Sequence, residues 1–369
     1  MSKVKLGMIG VGSIAQMHLK NAEELANIEL TAVCDINREQ VELVAKKYNC
    51  PGFTDYKEMF ESGLCEAVMI TTPHYQHTLI GIAALKAGLH VLVEKPISVH
   101  KADCERLIKA HKNKKIVFAA MFNQRTDPRY KKIKQIIESG QLGSLTRINW
   151  IVTDWFRTYA YYKSGTWRAT WQGEGGGVLL NQCPHQLDLL YWLGGMPAKV
   201  RAFCKFGAKH DIEVEDEVTA YMEYANGASG VFITSTGEAP GTNRLEICGE
   251  MGKIVVENST VKFYRNEMAA TEFSKTSTQG FAKPEIWDVT IPTSGTGGQH
   301  REVLENFANA ILKGEKLIAP AAEGINSVEL GNAMLFSTLK DCTVELPLDG
   351  AAFEHELNKL IKQSKFYKE

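Results

Sequence analysis

Near the start of the chain a short apolar run, Val4-Lys5-Leu6-Gly7-Met8-Ile9, meets Gly10-Val11-Gly12-Ser13-Ile14-Ala15 and then a helical pattern that continues to about Leu25. A strand that turns on glycines directly into a helix admits few architectures. Gly10 permits the tight turn, Gly12 lets a ligand approach the backbone, and the small Ala15 lets the helix pack closely on the strand. The helix-start amides around Ser13 and Ile14 form an anion site suited to a pyrophosphate. A glycine triplet alone is a weak signal, and its place between a strand and a helix gives it weight. The next strand, Leu30 to Cys34, ends on Asp35, at the spacing where a carboxylate accepts hydrogen bonds from an adenosine ribose. Such an acid disfavours the extra phosphate of NADP, so NAD is the expected cofactor, although Arg38 lies close enough to weaken that preference. Asp35 is equally placed to cap the helix that follows.

The same grammar repeats. Ala67–Ile70, His90–Val93 and Ile116–Ala120 are further continuous apolar strands, each preceded by a helical stretch, as in a parallel sheet covered on both faces. The fold class expected for residues 1–122 is α/β, a doubly wound Rossmann sheet. From 123 to 369 the strands alternate apolar and polar residues, among them Thr146–Trp155, Lys199–Phe206, Glu217–Tyr224, Ser229–Thr236, Arg244–Cys248 and Lys253–Val256. Helical patterns at Pro128–Ser139, Gly176–Leu193, Arg301–Leu312, Glu323–Lys340 and Ala351–Gln363 interrupt them. This reads as an α+β domain on a large, mostly antiparallel open sheet with helices on one side. The other face needs a cover, and a homo-oligomer (dimer, tetramer or hexamer) through the C-terminal sheet is expected.

Composition removes several classes of partner. Lys+Arg 42 against Asp+Glu 43 leaves no electrostatic footprint for nucleic acid or an anionic membrane. No apolar run approaches a membrane span, and the N-terminus carries no secretory signal. The eight cysteines have no metal-type grouping, so free thiols, no metal site and a cytoplasmic location are expected.

Two strand-end segments make the reading specific. Thr71-Thr72-Pro73-His74-Tyr75-Gln76-His77 follows the strand ending at Ile70, and Glu94-Lys95-Pro96 follows the one ending at Val93. Both lie at carboxyl ends, where open α/β sheets bind ligands. With the glycine fingerprint and a later Gly175-Gly176-Gly177…His185-Gln186-Leu187-Asp188 segment, the chain resembles the Gfo/Idh/MocA oxidoreductase family over nearly its whole length. The resemblance implies an NAD-dependent dehydrogenase acting on a secondary hydroxyl. It places Lys95 beside both nicotinamide and reacting hydroxyl, with a cis peptide before Pro96, and it lines the cofactor groove with Thr72, Pro73, His77 and Glu94. An alkoxide-like transition state gains from a nearby cation, and His185 is the imidazole suited to take the proton.

One position departs from the family pattern. Where the motif has three glycines, three residues, an aspartate, three residues and a histidine, this chain has Asn181 in place of the aspartate. Four residues apart, Asn181 and His185 are expected on one helix face toward the cleft. An amide there positions a hydroxyl but takes no proton. Asp188, a turn further on, either orients the His185 ring or caps a local polar network. On the substrate side stand Asn123, Arg125 and a stretch containing Arg157, Tyr159, Tyr161, Tyr162, Trp167, Arg168 and Trp171. Rings stack on sugar C–H faces while Arg and Asn bond hydroxyls, or the same rings pack between domains. Cys183 reads as a packed thiol near the substrate. His300 either reaches the cleft or caps the helix after it. The Asn-Gln-X-Pro-His form is similar to family members acting on sugars and glycosides, some of which oxidise glucosides at C3. A carbohydrate, glycoside or cyclitol substrate is therefore expected. An NAD-dependent glycosidase that oxidises, eliminates and re-reduces is one alternative; a non-catalytic NAD-binding sensor is another.

Overall fold

The computed structural model describes residues 2–364 and 366. It opens with β1 (Val4–Ile9), α1 (Ser13–Glu24), β2 (Ile28–Cys34), α2 (Arg38–Tyr48), β3 (Gly52–Phe53), α3 (Tyr56–Glu61), β4 (Ala67–Ile70), α4 (His74–Lys86), β5 (His90–Val93), α5 (Lys101–Ala110) and β6 (Phe118–Ala120). These strands pair in parallel in the order β3-β2-β1-β4-β5-β6. The order reverses between β1 and β4, and ligands of such sheets lie outside the carboxyl ends at that point. All four residues of β4 are buried, which is why it reads as an unbroken apolar run. Helices α2, α3 and α5 start on side-chain caps from Asn37, Asp55 and His100. Asn37, not Asp35, is thus the cap of α2. By contrast α1 and α4, which follow β1 and β4 across the reversal, carry no side-chain cap and leave their first amides for another acceptor.

Asp127 caps α6 (Pro128–Glu138), with Pro128 in the first turn, a position that suits its fixed φ. Beyond it, β7 (Leu145–Val152), β8 (Lys199–Phe206), β9 (Glu215–Glu223), β10 (Ser229–Ser235), β11 (Asn243–Gly249), β12 (Gly252–Glu257), β13 (Thr260–Asn266), β14 (Ile286–Ile291) and β15 (Val344–Glu345) build the second sheet. Its order is β14-β13-β12-β11-β7-β10-β9-β8-β15, antiparallel throughout except for the parallel pair β7 and β10. The intervening helices are α7 (Tyr159–Tyr162), α8 (Pro184–Gly194), α9 (Ala270–Thr276), α10 (Gln299–Lys313), α11 (Gly324–Lys340) and α12 (Gly350–Gln363). Leu187 and Leu190 of α8 and Leu330 and Met334 of α11 join Trp150 and Phe232 of the sheet in one core. The opposite face alternates outward and keeps Phe203 and Tyr221 exposed.

Two sequence expectations need correction. The helical pattern from Gly176 yields a helix only from Pro184. Proline disfavours helical geometry in the residue before it and starts helices well, so residues 178–183 form turns and Asn181 lies off the helix that carries His185. The strand read through Trp155 stops at Val152, which frees Asp154 and Trp155 for a loop. Later residues also return onto the first sheet. Val303, Leu304 and Phe307 of α10 pack with Leu6, Met8 and Leu19, and Pro320 bridges to Ala119 of β6.

Candidate active site

The glycine turn is built as its sequence requires. Gly10 sits at φ +86°, and a Cβ there would lie 2.9 Å from the backbone of Thr71. The Thr71 hydroxyl donates to the Gly10 carbonyl at 2.6 Å, tying the ends of β1 and β4 together. A Cβ on Gly12 would meet no atom within 4 Å, so the surface above it is open. The half-buried Asp35 carboxylate accepts from the amides of Val11 at 2.8 Å and Asn37 at 3.0 Å. It fixes the turn and still has lone pairs for hydroxyl donors. Arg38 is exposed at the start of α2. A cavity of about 450 Å³ lined by Val11, Gly12, Ser13, Gln40 and Lys47 extends the groove along α2, and Ile14 is exposed at its edge. Uncapped amides, an open glycine and a ribose-type acid fit a dinucleotide.

Of the residues assigned to that groove, two brace it instead. His77 is buried between the carbonyls of Thr72 and Pro96, each 2.8 Å away, and so locks one strand-end segment to the other. Glu94 gives one oxygen to His18 at 2.7 Å and the other to the Lys95 amide at 2.9 Å. Burial works against its charge, but the His18 contact and the charges of His18, Lys95 and His300 hold it down at about 2. Thr72 remains available, with a hydroxyl that has no partner, and Pro73 is exposed.

Lys95 precedes Pro96 through a cis peptide. Its Nζ donates to the backbone carbonyl of Asn181 at 2.8 Å. The Asn181 side chain donates to Glu174 and accepts from the Tyr161 hydroxyl at 3.3 Å, while Arg168 donates to the same hydroxyl at 3.0 Å. Burial lowers the Lys95 pKa, opposed by Glu94 and Glu174. His185 is buried against the edge of Phe122, and its Nδ1 has no partner. Burial first, then the Lys95 charge, push its pKa down to about 3, so the ring is neutral. His300 meets His18 ring to ring at 5.4 Å, and the α10 start has no side-chain cap. It therefore packs on His18 rather than capping the helix.

Arg125 and Asp188 prove to be one structural unit. The guanidinium, 2% exposed, donates to both Asp188 oxygens at 2.8 and 2.7 Å and to Glu323 at 2.5 Å. A bidentate pair this buried is spent on structure, so Arg125 does not face substrate and Asp188 does not steer His185. Asn123 donates to Gln299 at 2.6 Å, and its Oδ1 is left without a partner. The aromatic stretch divides. Arg157 stacks over Trp155 and Tyr161, and Arg168 over Tyr161 and Trp167, gathering them beside Asn181. Tyr162 and Trp171 are packed into the core, and Tyr159 is exposed.

A second cavity of about 670 Å³ lies alongside. Its wall includes Gln124, Trp155, Asn243 and Glu257 together with Gln186, the neighbour of His185, and Gln299. Gln186 Oε1, Trp155 Nε1 and Arg157 Nε are buried without partners, and such orphaned groups gather where a ligand completes them. The sequence reading missed Glu174, His18 and Glu215. Glu174 had a signal, an acid embedded between Gly173 and Gly175, where a solvated turn has no need of one.

Known proteins are similar to this chain in sequence and in fold. Residues 4–122 match the pattern described as "Oxidoreductase family, NAD-binding Rossmann fold", and residues 130–255 match the GFO/IDH/MocA C-terminal domain. The chain is 25% identical to the levoglucosan dehydrogenase of Pseudarthrobacter phenanthrenivorans, covering 94% of this chain and 99% of that protein. It is 25% identical to the myo-inositol 2-dehydrogenase of Thermotoga maritima, covering 69% and 75%. The WlbA dehydrogenase of Bordetella pertussis, solved with NADH and UDP-GlcNAcA, superposes with a TM-score of 0.79 at 25% identity, covering 94% of this chain and all of that one.

Proposed function

The chain belongs to the Gfo/Idh/MocA oxidoreductase family, with NAD as its cofactor, and on that premise we propose that it oxidises a secondary hydroxyl of a sugar, glycoside or cyclitol. The observation that carries this reading is a Lys95 ammonium held on the Asn181 carbonyl close enough to a neutral, buried His185 to depress its pKa, with the His185 Nδ1 lacking a partner. When bound, NAD supplies the hydride acceptor. Lys95 stabilises the negative charge that grows on the substrate oxygen, which is worth most in a site shielded from water. His185 Nδ1 takes the hydroxyl proton, a task only a neutral ring performs. Asn123 and the Arg157–Tyr161–Arg168 stack orient the ring from the second domain.

Within that class we favour a glycoside oxidised at C3. The form Asn181-Gln182-Cys183-Pro184-His185 supports it. The outward face bearing Phe203 and Tyr221 suits contact between copies in a homo-oligomer. No described helix is long and apolar enough to cross a membrane. The test is a panel of inositols, free sugars and glycosides, each assayed for reduced nicotinamide with NAD and with NADP. Turnover of at least one glycoside with NAD is expected. Turnover with NADP alone, or of none of the panel, contradicts the reading.

A further inference from the structure

Asn181 removes a carboxylate from the place where the family motif has one, yet a carboxylate still faces Lys95. We infer that Glu174 is a second counter-charge of this site beside Glu94: acting through Asn181, it positions the Lys95 ammonium and favours its protonated form. The inference rests on the reading of Lys95 as the cation of the reaction.

Asn181 is the link. Its backbone carbonyl accepts from Lys95 Nζ at 2.8 Å, and its side-chain amide donates to one oxygen of Glu174. The other Glu174 oxygen accepts the Ala169 amide at 2.6 Å. Glu174 is 2% exposed, and the chain is shaped to bring it inside. A Cβ at Gly173 would lie 2.1 Å from the Trp167 carbonyl oxygen, and one at Gly175, where φ is +77°, would lie 2.1 Å from Val99. Only glycines on both sides permit that path. Burying an acid is costly unless cations and donors meet it; burial raises the Glu174 pKa, opposed by the Ala169 and Asn181 amides and by the charges of Arg168 and Lys95. An aspartate at 181 would abut Glu174 as a second carboxylate, whereas an asparagine donates to it. Asn181 and Glu174 are a matched pair.

Other charges act on Lys95 as well. Glu94, with one oxygen on His18 and the other on the Lys95 amide, is the larger carboxylate influence favouring the charge on Lys95, and Glu174 adds to it. Glu215 spends one oxygen on the amides of Gly177 and Leu179. Arg168 lies 4.0 Å from Glu174 and opposes the charge on Lys95. His74, His185 and His300 all have lowered pKa values and are neutral at working pH, and the Cys183 thiol is held protonated by burial. Loss of Glu174 leaves Glu94 as the remaining carboxylate against burial, and so moves Lys95 toward its uncharged form.

The test reads Lys95 directly, without turnover. Lysines of the full chain are reductively ¹³C-methylated, the Lys95 resonance is assigned with Lys95→Arg, and its titration is followed by NMR. Glu174→Gln is expected to lower the Lys95 titration by about one unit or more, and the swap Glu174→Gln with Asn181→Asp is expected to restore it. The alkaline limb of kcat/KM should move with it while KM holds. An unmoved titration in folded Glu174→Gln, or a folded swap that restores nothing, overturns the proposal. Should Glu174→Gln not fold, Asn181→Asp alone adds a second acid and should raise the Lys95 titration; no rise overturns it equally. A variant Lys95→Met with full activity would instead defeat the reading of Lys95, whatever the titration shows.

Discussion

At the scale of single residues, the account gives Lys95, His185 and Asp35 separate tasks. Lys95→Met should lower kcat/KM by about a thousandfold, the range for losing a group that stabilises a transition-state oxyanion, with NADH affinity kept in a fluorescence titration. His185→Ala should cost about a hundredfold or more in kcat. Because the ring titrates at about 3, the wild-type rate should not fall on a histidine titration as pH drops through 6.5 toward 5; a loss there that His185→Ala abolishes would contradict a neutral, buried base. Asp35→Ala should narrow the preference for NAD over NADP by about tenfold or more, as expected for losing a charge-assisted contact. Of these residues, the sequence made Lys95, His185 and Asp35 legible because each stands at a strand end or in a motif. It misplaced Arg125, since nothing in a sequence tells an arginine facing a sugar from one locked on Asp188. It missed Glu174 because the partner that explains it, Asn181, is met only after the chain turns back.

At the scale of elements, the site depends on turns more than on helices or strands. Gly10→Ala forces a left-handed backbone and a clash with Thr71, so it should cost about 1–3 kcal/mol in urea unfolding and weaken NADH binding. The turn through Gly177 is held by Glu215, which is fully buried and accepts two of its amides. Burial pushes the Glu215 carboxyl up to about 7 from an ordinary 4.5. The folded state then favours the protonated acid, so its contribution is full below about 4.5 and is lost as pH rises through 7, by roughly 3 kcal/mol. Glu215→Gln keeps the acceptor and removes the charge. Its stability should exceed that of the wild type at about pH 8 and match it at about pH 4.5; parallel pH profiles would contradict this. The regular elements of the first sheet were legible because buried parallel strands read as unbroken apolar runs. The start of α8 was not, since the pattern ran through Gly176 while proline chemistry delayed the helix to Pro184. The β12–β13 hairpin escaped notice because its turn is Asn258-Ser259, both at positive φ, rather than the Asn-Gly pair that announces such turns.

At the scale of the whole molecule, the α/β and α+β halves were legible from a change of periodicity. The return of α10 onto the first sheet was not, because an amphipathic helix does not state which domain its apolar face will meet. The second sheet leaves Phe203 and Tyr221 outward, and for the homo-oligomer proposed through that face their replacement by glutamate should lower the mass in light scattering while leaving NADH binding intact. A protein already monomeric would contradict an interface on that face. The central claim is hydride transfer from substrate carbon to NAD under Lys95 and His185, and the most direct measurement is isotopic. A glycoside deuterated at C3 is turned over and the nicotinamide recovered for mass spectrometry. The account predicts deuterium in the nicotinamide with the wild-type chain and none above background with Lys95→Met. Product formed without label in the nicotinamide, or label transfer undiminished in Lys95→Met, would contradict it.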